Sequence, residues 1–289
     1  MNNDVFNINR LGRYLVTDIK NAIARYGVSL LVIATVSLTG YLLIGFFTMI
    51  VGTGWQSVPV AGRMFMMVIS FIVLTISAPA KIYGFITDKK EGSAFLMVPV
   101  SSLEKTISMI IVCCVVVPLA FFAVYLSLDQ ILCLIDGKCG DSLIVTINNG
   151  QTILTDAFQR LSRESNNVFP DYSSMATPWM YLDDIAQGFL TFLLGALIFK
   201  SSKPAKTVGC LILLSIALSM IFTPIVMHGA IEKFKDAAAS NMTPEELFQS
   251  FPVISWSMKH AVLVDTLSDT IMNIGLAIAI YFRVRKIKH

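Results

Sequence analysis

The sequence predicts an all-α integral membrane protein with six transmembrane helices, an N-terminal amphipathic helix and a small extracytoplasmic segment. Three observations lead to this fold class. The chain of 289 residues is 55% hydrophobic and only 14% charged, whereas a soluble chain has about 25% charged residues. Its apolar residues form long runs without charge, and its basic residues cluster between alternate runs. This composition excludes a disordered protein, a nucleic-acid-binding domain and an ordinary cytosolic enzyme.

Residues 1–27 are predicted to form a cytoplasmic amphipathic helix. Apolar residues recur there at steps of three and four, with basic residues between them, which is typical of a helix lying in the inner membrane surface. The alternative is a short soluble helix. The apolar positions are Leu11, Tyr14, Leu15, Ile19, Ala22 and Ile23.

Four runs contain no Asp, Glu, Lys or Arg and approach or exceed the length of about 20 residues that a membrane-spanning helix needs. They are Val28–Val51, Met64–Ala80, Thr106–Leu128 and Thr207–Ile231. The first three place transmembrane helices one to three within residues 28–128. The last is the fifth span of the predicted topology.

Two weaker runs, Ile185–Phe199 and Thr270–Phe282, must extend to about Met180 and Ala261 to reach that length. Soluble core helices could have the same length. The positions of the basic residues therefore decide whether these two runs are counted as membrane spans. With six spans and a cytoplasmic N-terminus, the inner segments hold 15 of the 22 Lys and Arg residues, as the positive-inside rule expects. We therefore expect helices four to six within residues 180–289 and both termini on the inside.

The predicted cytoplasmic loop 81–105 contains an apolar patch and a helix start. The patch is Phe95, Leu96, Met97 and Val98, with charged residues before it. Such a patch suits the docking of a soluble partner; the alternative is a loop that rests on the lipid surface. Ser101 and Glu104 have the S-x-x-E spacing of a capping box, which predicts the start of the third span.

Residues 129–179 form the predicted extracytoplasmic segment, the only stretch outside the membrane long enough for a small folded unit. Leu143–Ile147 and Gln151–Leu154 flank an Asn-Asn-Gly sequence, which predicts a β-hairpin. A folded unit of this size is only marginally stable by itself. We therefore expect it to pack against the second outer loop, 228–260.

Five cysteines occur, and two of them are predicted outside the membrane. Cys133 and Cys139 would face an oxidising exterior, so a disulfide closing that short loop is expected, with two free thiols as the alternative. The other three, in the predicted spans, are expected to be small buried hydrophobic side chains. No metal site is expected, because no nearby His or Cys completes four ligands.

Four acidic residues are candidate membrane acids. Asp265 and Asp269 are four residues apart on one face of the last span, and Asp183 and Asp184 open the fourth. Ionisable residues inside a membrane are functional candidates. Asp269 precedes Phe282 by 13 residues, or about 20 Å of helix, which favours a position at the outer interface facing water over a proton or substrate relay.

Catalytic sequence patterns are absent. The chain has no phosphate-binding loop, no H-E-x-x-H and no G-x-S-x-G sequence. Its three histidines, His228, His260 and His289, are predicted at or outside the membrane surfaces. The sequence therefore predicts neither an enzyme nor a bound cofactor.

The N-terminal sequence NINRLGRYLVTDIKNAIARYG, the six spans and the phrase AFLMVPVSSLEKTIS before the third span together resemble a Bacteroidetes-type relative of the ABC type-2 exporter permeases. Proteins of that group carry a similar phrase, aliphatic-Pro-x-Ser-x-x-Glu-Lys, at this place; here it is Val98 to Lys105. The chain departs from the usual layout in its long outer segment between the third and fourth spans.

The resemblance implies a permease subunit of a bacterial cytoplasmic membrane. Such a subunit forms a homodimer, or a heterodimer with a sister permease, and binds a separate ATPase subunit on the inside. The residues implied for coupling to the ATPase are Phe95, Leu96, Met97, Pro99, Glu104 and Lys105. The competing hypothesis is a non-transporting membrane scaffold or sensor whose outer segment binds a ligand or partner.

Overall fold

The computed structural model describes residues 6–52, 54–87, 92, 95, 97–137, 139–149, 178–240 and 261–287. Across these ranges the regular secondary structure is helical, without a strand, which confirms the all-α prediction. The helices are α1 (Ile8–Ala34), α2 (Val36–Ile50), α3 (Val60–Tyr83), α4 (Ser102–Ile111), α5 (Val117–Ile135), α6 (143–149), α7 (Pro178–Ile198), α8 (Lys203–Ser240) and α9 (Ala261–Lys286).

Five helical stretches are long and apolar enough to cross a membrane. They are Ile8–Ile50, Val60–Thr87, Ser102–Ile135, Lys203–Ile221 and Thr266–Lys286. Each contains or overlaps a predicted span, and the remaining prediction, Ile185–Phe199, falls on α7, a helix of 21 residues. Length and composition thus support a multi-pass membrane protein.

The outer surfaces of these helices are apolar. Phe47 on α2, Phe65 on α3 and Leu119 on α5 are each about two-thirds exposed. An apolar surface of this extent would be unstable in water but is the expected face of a helix in hydrocarbon. The exposed side chains therefore agree with the hydropathy of the sequence.

The chain forms two compact units. Unit 1 comprises Met1–Gly150, Asp184–Pro204 and Met272–His289, and unit 2 comprises Gln151–Asp183 and Ala205–Ile271. The core of unit 1 is formed by buried side chains from α1, α3, α4, α5, α7 and α9. Members of this core are Tyr26, Leu74, Met109, Phe121, Tyr125, Phe189, Leu193 and Ile280.

Helix α1 joins the predicted amphipathic segment to the first predicted span without a break. It begins at Asn7, whose side chain accepts hydrogen bonds from the N–H groups of residues 9 and 10, and it continues through Gly27 to Ala34. The helix is interrupted at Thr35, after which α2 continues to Ile50. The predicted boundary between the amphipathic segment and the first span, after residue 27, is therefore a change of amino-acid composition within one continuous helix.

One face of α1 packs into the core. Its buried residues are Asp18, Ala22, Tyr26, Leu30 and Ala34, spaced four residues apart. Residues four apart are neighbours on the helix surface, so the five form one row that winds gradually around the helix. Of the apolar positions predicted on α1, Ala22, Leu15 and Ile19 pack in or against the core, whereas Ile23 is 62% exposed.

A π-helical turn, Val112–Val116, separates α4 from α5. Pro118 follows it in the first turn of α5, where its missing N–H is tolerated. A π turn contains one residue more than an α turn. Within the third predicted span, the backbone hydrogen bonds therefore change from the α-helical to the π-helical pattern at this turn. Met109 before the turn and Phe121 after it are both fully buried.

In unit 2, α8 continues beyond the end of its predicted span. The helix reaches Ser240 and contains Pro224, so the first part of the predicted outer loop 228–260 is helical. Leu213 and Met220 on this helix are 68% and 73% exposed. The rest of that loop, from residue 241, lies outside the described residues.

The first arm of the predicted β-hairpin is helical, so that prediction was wrong. Residues 143–149 form α6, in which the backbone N–H of Thr146 donates to the carbonyl of Ser142 at 2.9 Å. The Leu143 N–H donates to the carboxylate of Asp129 at 2.8 Å. This tertiary bond satisfies a free donor at the start of the helix. The second arm lies outside the described residues.

Candidate functional site at the start of the third predicted span

The capping box predicted from Ser101 and Glu104 is confirmed. The Ser101 hydroxyl accepts from the Glu104 N–H at 3.2 Å, and the Glu104 carboxylate accepts from the Ser101 N–H at 3.1 Å. These reciprocal bonds satisfy backbone donors at the start of α4. They also fix the direction in which the Glu104 side chain leaves the helix.

The same carboxylate holds the start of α1. Arg10 donates from Nε and Nη2 at 2.8 and 2.7 Å, and the backbone N–H of Asn7 donates at 2.8 Å. The Glu104 side chain is fully buried, and that of Arg10 is 29% exposed. We call Asn7, Arg10, Ser101 and Glu104 the Glu104 junction, because one carboxylate accepts hydrogen bonds from the beginnings of two helices.

Lys105 anchors the preceding loop. Its Nζ donates to the carbonyl of Phe95 at 2.8 Å and lies 4.7 Å from the centre of the Phe95 ring. Lys105 and Phe95 are 5% and 7% exposed. A buried ammonium with these contacts is part of the internal packing, so Lys105 and Glu104 do not offer their charges to a partner's surface.

Two of the six residues implied for coupling to the ATPase lie on the surface. Met97 is 81% exposed, and Pro99 is also exposed. Leu96 lies outside the described residues. The six residues implied for coupling thus include three with internal contacts, namely Phe95, Glu104 and Lys105, and two on the surface.

A cavity of about 610 Å³ lies beside the Glu104 junction, between α1 and the chain from Ile82 to Val100. We call it the α1 cavity. Three arginines, Arg10, Arg13 and Arg25, line it together with apolar side chains of the loop. The guanidinium carbon of Arg25 lies 3.6 Å from the centre of the Phe85 ring. The cavity therefore combines cationic and apolar walls.

Sequence reasoning missed Asp18 as a site residue. Its Oδ2 accepts hydrogen bonds from the Tyr83 hydroxyl at 2.8 Å and from the Ser108 hydroxyl at 2.6 Å. Asp18 is 7% exposed, so three helices share a buried polar contact next to the α1 cavity. The spacing of four residues between Asp18, Ala22 and Tyr26 was a signal that could have identified this face.

A second polar cluster, at the other end of α3 and α5, contains the two candidate disulfide cysteines. Arg63 forms a salt bridge to Asp129 at 2.8 Å, with both side chains 1% exposed. Arg63 also donates to the Cys133 Sγ at 2.8 Å and to the backbone carbonyls of Cys139 and Asp141 at 3.2 and 2.7 Å. We call these five residues the Arg63 cluster.

Both cysteines of the Arg63 cluster are free thiols in the structure. The Sγ of Cys133 is occupied by the contact with Arg63, and Cys139 is buried in a small apolar cluster with Tyr41 and Leu132. The disulfide therefore remains a prediction for the oxidised protein. Nearby, the carboxylate of Asp136 accepts from the Tyr41 hydroxyl and from Trp55 Nε1.

The structure describes the side chains of three of the four candidate membrane acids, Asp183, Asp184 and Asp269. In unit 2, Asp183 Oδ2 accepts from the Thr270 hydroxyl at 3.1 Å, and Asp269 is half-buried. Asp184 is exposed. Asp265 lies on α9, but its side chain is outside the described residues. No group of three His, Cys, Asp or Glu side chains that could hold a metal occurs among the residues described.

Comparisons of the chain with protein-family models, with curated proteins and with solved structures find no match. The function must therefore be argued from the sites themselves.

Proposed function

We propose that the chain is the membrane-spanning permease subunit of an ABC-type exporter in a bacterial cytoplasmic membrane, with six spans, both termini inside and a separate ATPase subunit as its partner. The Glu104 junction is the observation that carries this proposal. It gives a physical role to the phrase that resembles the exporter permeases, since Glu104 joins α1 to the start of the third span.

The geometry suits transmission of force between a soluble subunit and the membrane helices. Met97 and Pro99 are exposed close in sequence to the junction. A partner that pushes on this loop would act through Phe95 and Lys105 on the start of α4, and through Glu104 on α1. Met97 and Pro99 would bind the partner. The buried side chains of Glu104 and Lys105 would couple the loop to α1 and α4.

Photo-crosslinking in native membranes tests the proposal. A photoreactive amino acid at position 97 should crosslink to a protein that mass spectrometry identifies as an ATP-binding subunit. The matched control is the same amino acid at position 213, because Leu213 is also highly exposed but lies within a predicted span. An ATPase crosslinked from 97 but not from 213 supports the proposal; no ATPase at 97 contradicts it.

A membrane scaffold or sensor is the second candidate, and the Arg63 cluster favours it. Arg63 and Asp129 hold residues 139–143 at the start of the predicted outer segment. A rigid base of this kind would suit a segment that binds a ligand or partner. Crosslinks from the predicted outer segment, without an ATPase at position 97, would favour this second function.

A further inference from the structure

The polar wall of the α1 cavity is a single stripe along one helix. Arg13, Thr17, Asn21 and Arg25 all line the cavity, and they are spaced four residues apart. Residues four apart are neighbours on the surface of an α-helix, so the four form a stripe that winds gradually around α1 over a length of about 18 Å between the two arginines. The stripe has a guanidinium at each end and neutral hydrogen-bonding groups between them.

The wall opposite the stripe is apolar. Ile82, Phe85 and Phe95 line it, together with Val98 and Pro99. The ring of Phe85 also lies against the guanidinium of Arg25. A ligand that fills this cavity must therefore have an anionic or polar part and an apolar part side by side.

The charges that line the cavity favour an anion. Its one acidic side chain among the described residues, Asp18, is already hydrogen-bonded to Tyr83 and Ser108. Arg10 is paired with Glu104. Arg13, which is exposed, has neither an ion pair nor a side-chain hydrogen bond in the part of the chain that the structure describes.

The position of the cavity indicates where such a ligand would come from. Arg25 lies three residues before Val28, where the first charge-free run begins, so the stripe ends at the predicted inner membrane surface. The volume, about 610 Å³, is within the range of about 300–1,000 Å³ typical of small-ligand sites. Basic pockets between membrane helices on the cytoplasmic side bind anionic lipid head groups.

We propose that the α1 cavity binds an anionic phospholipid of the inner leaflet. The phosphate lies along the arginine stripe of α1, and the first part of an acyl chain lies against Phe85, Phe95 and Val98. The site would hold α1 and the loop before the third span together through a lipid. This inference does not depend on transport or on the ATPase.

Native mass spectrometry of the full chain tests the proposal. The protein is purified in detergent containing equal amounts of phosphatidylglycerol and phosphatidylcholine, and the bound lipids are counted. We expect a preference for phosphatidylglycerol that Arg13→Gln lowers about fivefold, since one arginine near an anionic surface contributes about 1 kcal/mol. Asn21→Trp should also reduce binding, because the indole fills the cavity without changing its charge.

Lys20→Gln is the matched control. Lys20 is an exposed cation on the same helix but does not line the cavity. Retained preference in Lys20→Gln, together with the lowered preference in Arg13→Gln and the reduced binding in Asn21→Trp, supports the proposal. Circular dichroism of each variant verifies its helical content.

Three results would overturn the proposal. Equal losses in Lys20→Gln and Arg13→Gln would mean that binding is a diffuse effect of surface charge. Release of the lipid by inorganic phosphate alone would mean that the site binds a free anion. A photoreactive group at position 21 that captures a protein segment in native membranes and no lipid would mean that a partner fills the cavity.

Discussion

Replacing Glu104 with Gln should loosen the start of α1 and of α4 together. The carboxylate accepts four hydrogen bonds: two from Arg10 and one each from the backbone N–H groups of Asn7 and Ser101. A glutamine has nearly the same shape and keeps one oxygen acceptor, but it presents an NH₂ group to donors and has no charge to balance Arg10.

The magnitude follows from the two bonds to Arg10. A hydrogen bond to a charged group contributes about 1.5–3 kcal/mol net, and the lower end applies because Arg10 is 29% exposed. Two such bonds give about 3 kcal/mol, which corresponds to an increase of about 100-fold in the population of the locally opened junction.

Hydrogen exchange measured by mass spectrometry reports this opening directly. In Glu104→Gln, the peptides covering residues 6–14 and 101–109 should exchange about 100-fold faster than in the wild type, while peptides from α5 should be unchanged. Asp184→Asn is the control, since it removes the same charge from an exposed position.

The reasoning is refuted if exchange at the junction rises less than about threefold, or if Asp184→Asn raises it equally. A double-mutant cycle with Arg10→Gln adds a second criterion. The two residues share bonds, so their effects should be less than additive; full additivity would show that the Arg10–Glu104 contact contributes nothing.

Other predictions concern the Arg63 cluster and the topology. Asp129→Asn should destabilise the protein by about 3–5 kcal/mol, because it leaves the guanidinium of Arg63 buried without a counter-charge; thermal inactivation in detergent measures this, and an unchanged midpoint contradicts it. In membranes from cells grown under oxidising conditions, Cys133 and Cys139 should resist alkylation until the protein is reduced; alkylation of both without reduction would exclude the disulfide. In a cysteine-free background, a cysteine replacing Lys203 should be protected from impermeant external reagents in intact cells, whereas one in the predicted outer segment should react; labelling at 203 would overturn the six-span topology.

Local signals predicted local structure well. The capping box at Ser101 and Glu104 involves two residues one turn apart, so the sequence contains all the groups that form it. The apolar runs likewise predicted long helices, since lipid leaves a backbone few other ways to satisfy its hydrogen bonds.

Contacts between distant residues explain the errors. Residues 143–147 follow a strand-like pattern and precede an Asn-Asn-Gly sequence, yet Asp129 caps the Leu143 N–H and residues 143–149 form a helix. On α1, Asp18 is buried, because hydroxyl groups from Tyr83 and Ser108 on other helices satisfy the carboxylate. The sequence around residue 143 does not show the contact with Asp129, and the sequence around Asp18 does not show the contacts with Tyr83 and Ser108.

The salt bridge between Arg63 and Asp129 was within reach of sequence reasoning. Arg63 directly precedes the second charge-free run, and Asp129 directly follows the third. In antiparallel neighbouring spans, those two ends lie at the same membrane depth. Two opposite charges at the same membrane depth predict a salt bridge. Only the structure shows that the Arg63 guanidinium also donates to the backbone carbonyls of Cys139 and Asp141.

The π turn at Val112–Val116 sets the rotational register of the third predicted span. Met109 and Phe121 are twelve residues apart, and in a regular α-helix they would point about 120° apart. One extra residue in the π turn reduces the effective separation to eleven and the angle to about 20°, which agrees with the full burial of both side chains. The helix thus uses an inserted residue to keep one continuous inward face on both sides of Pro118.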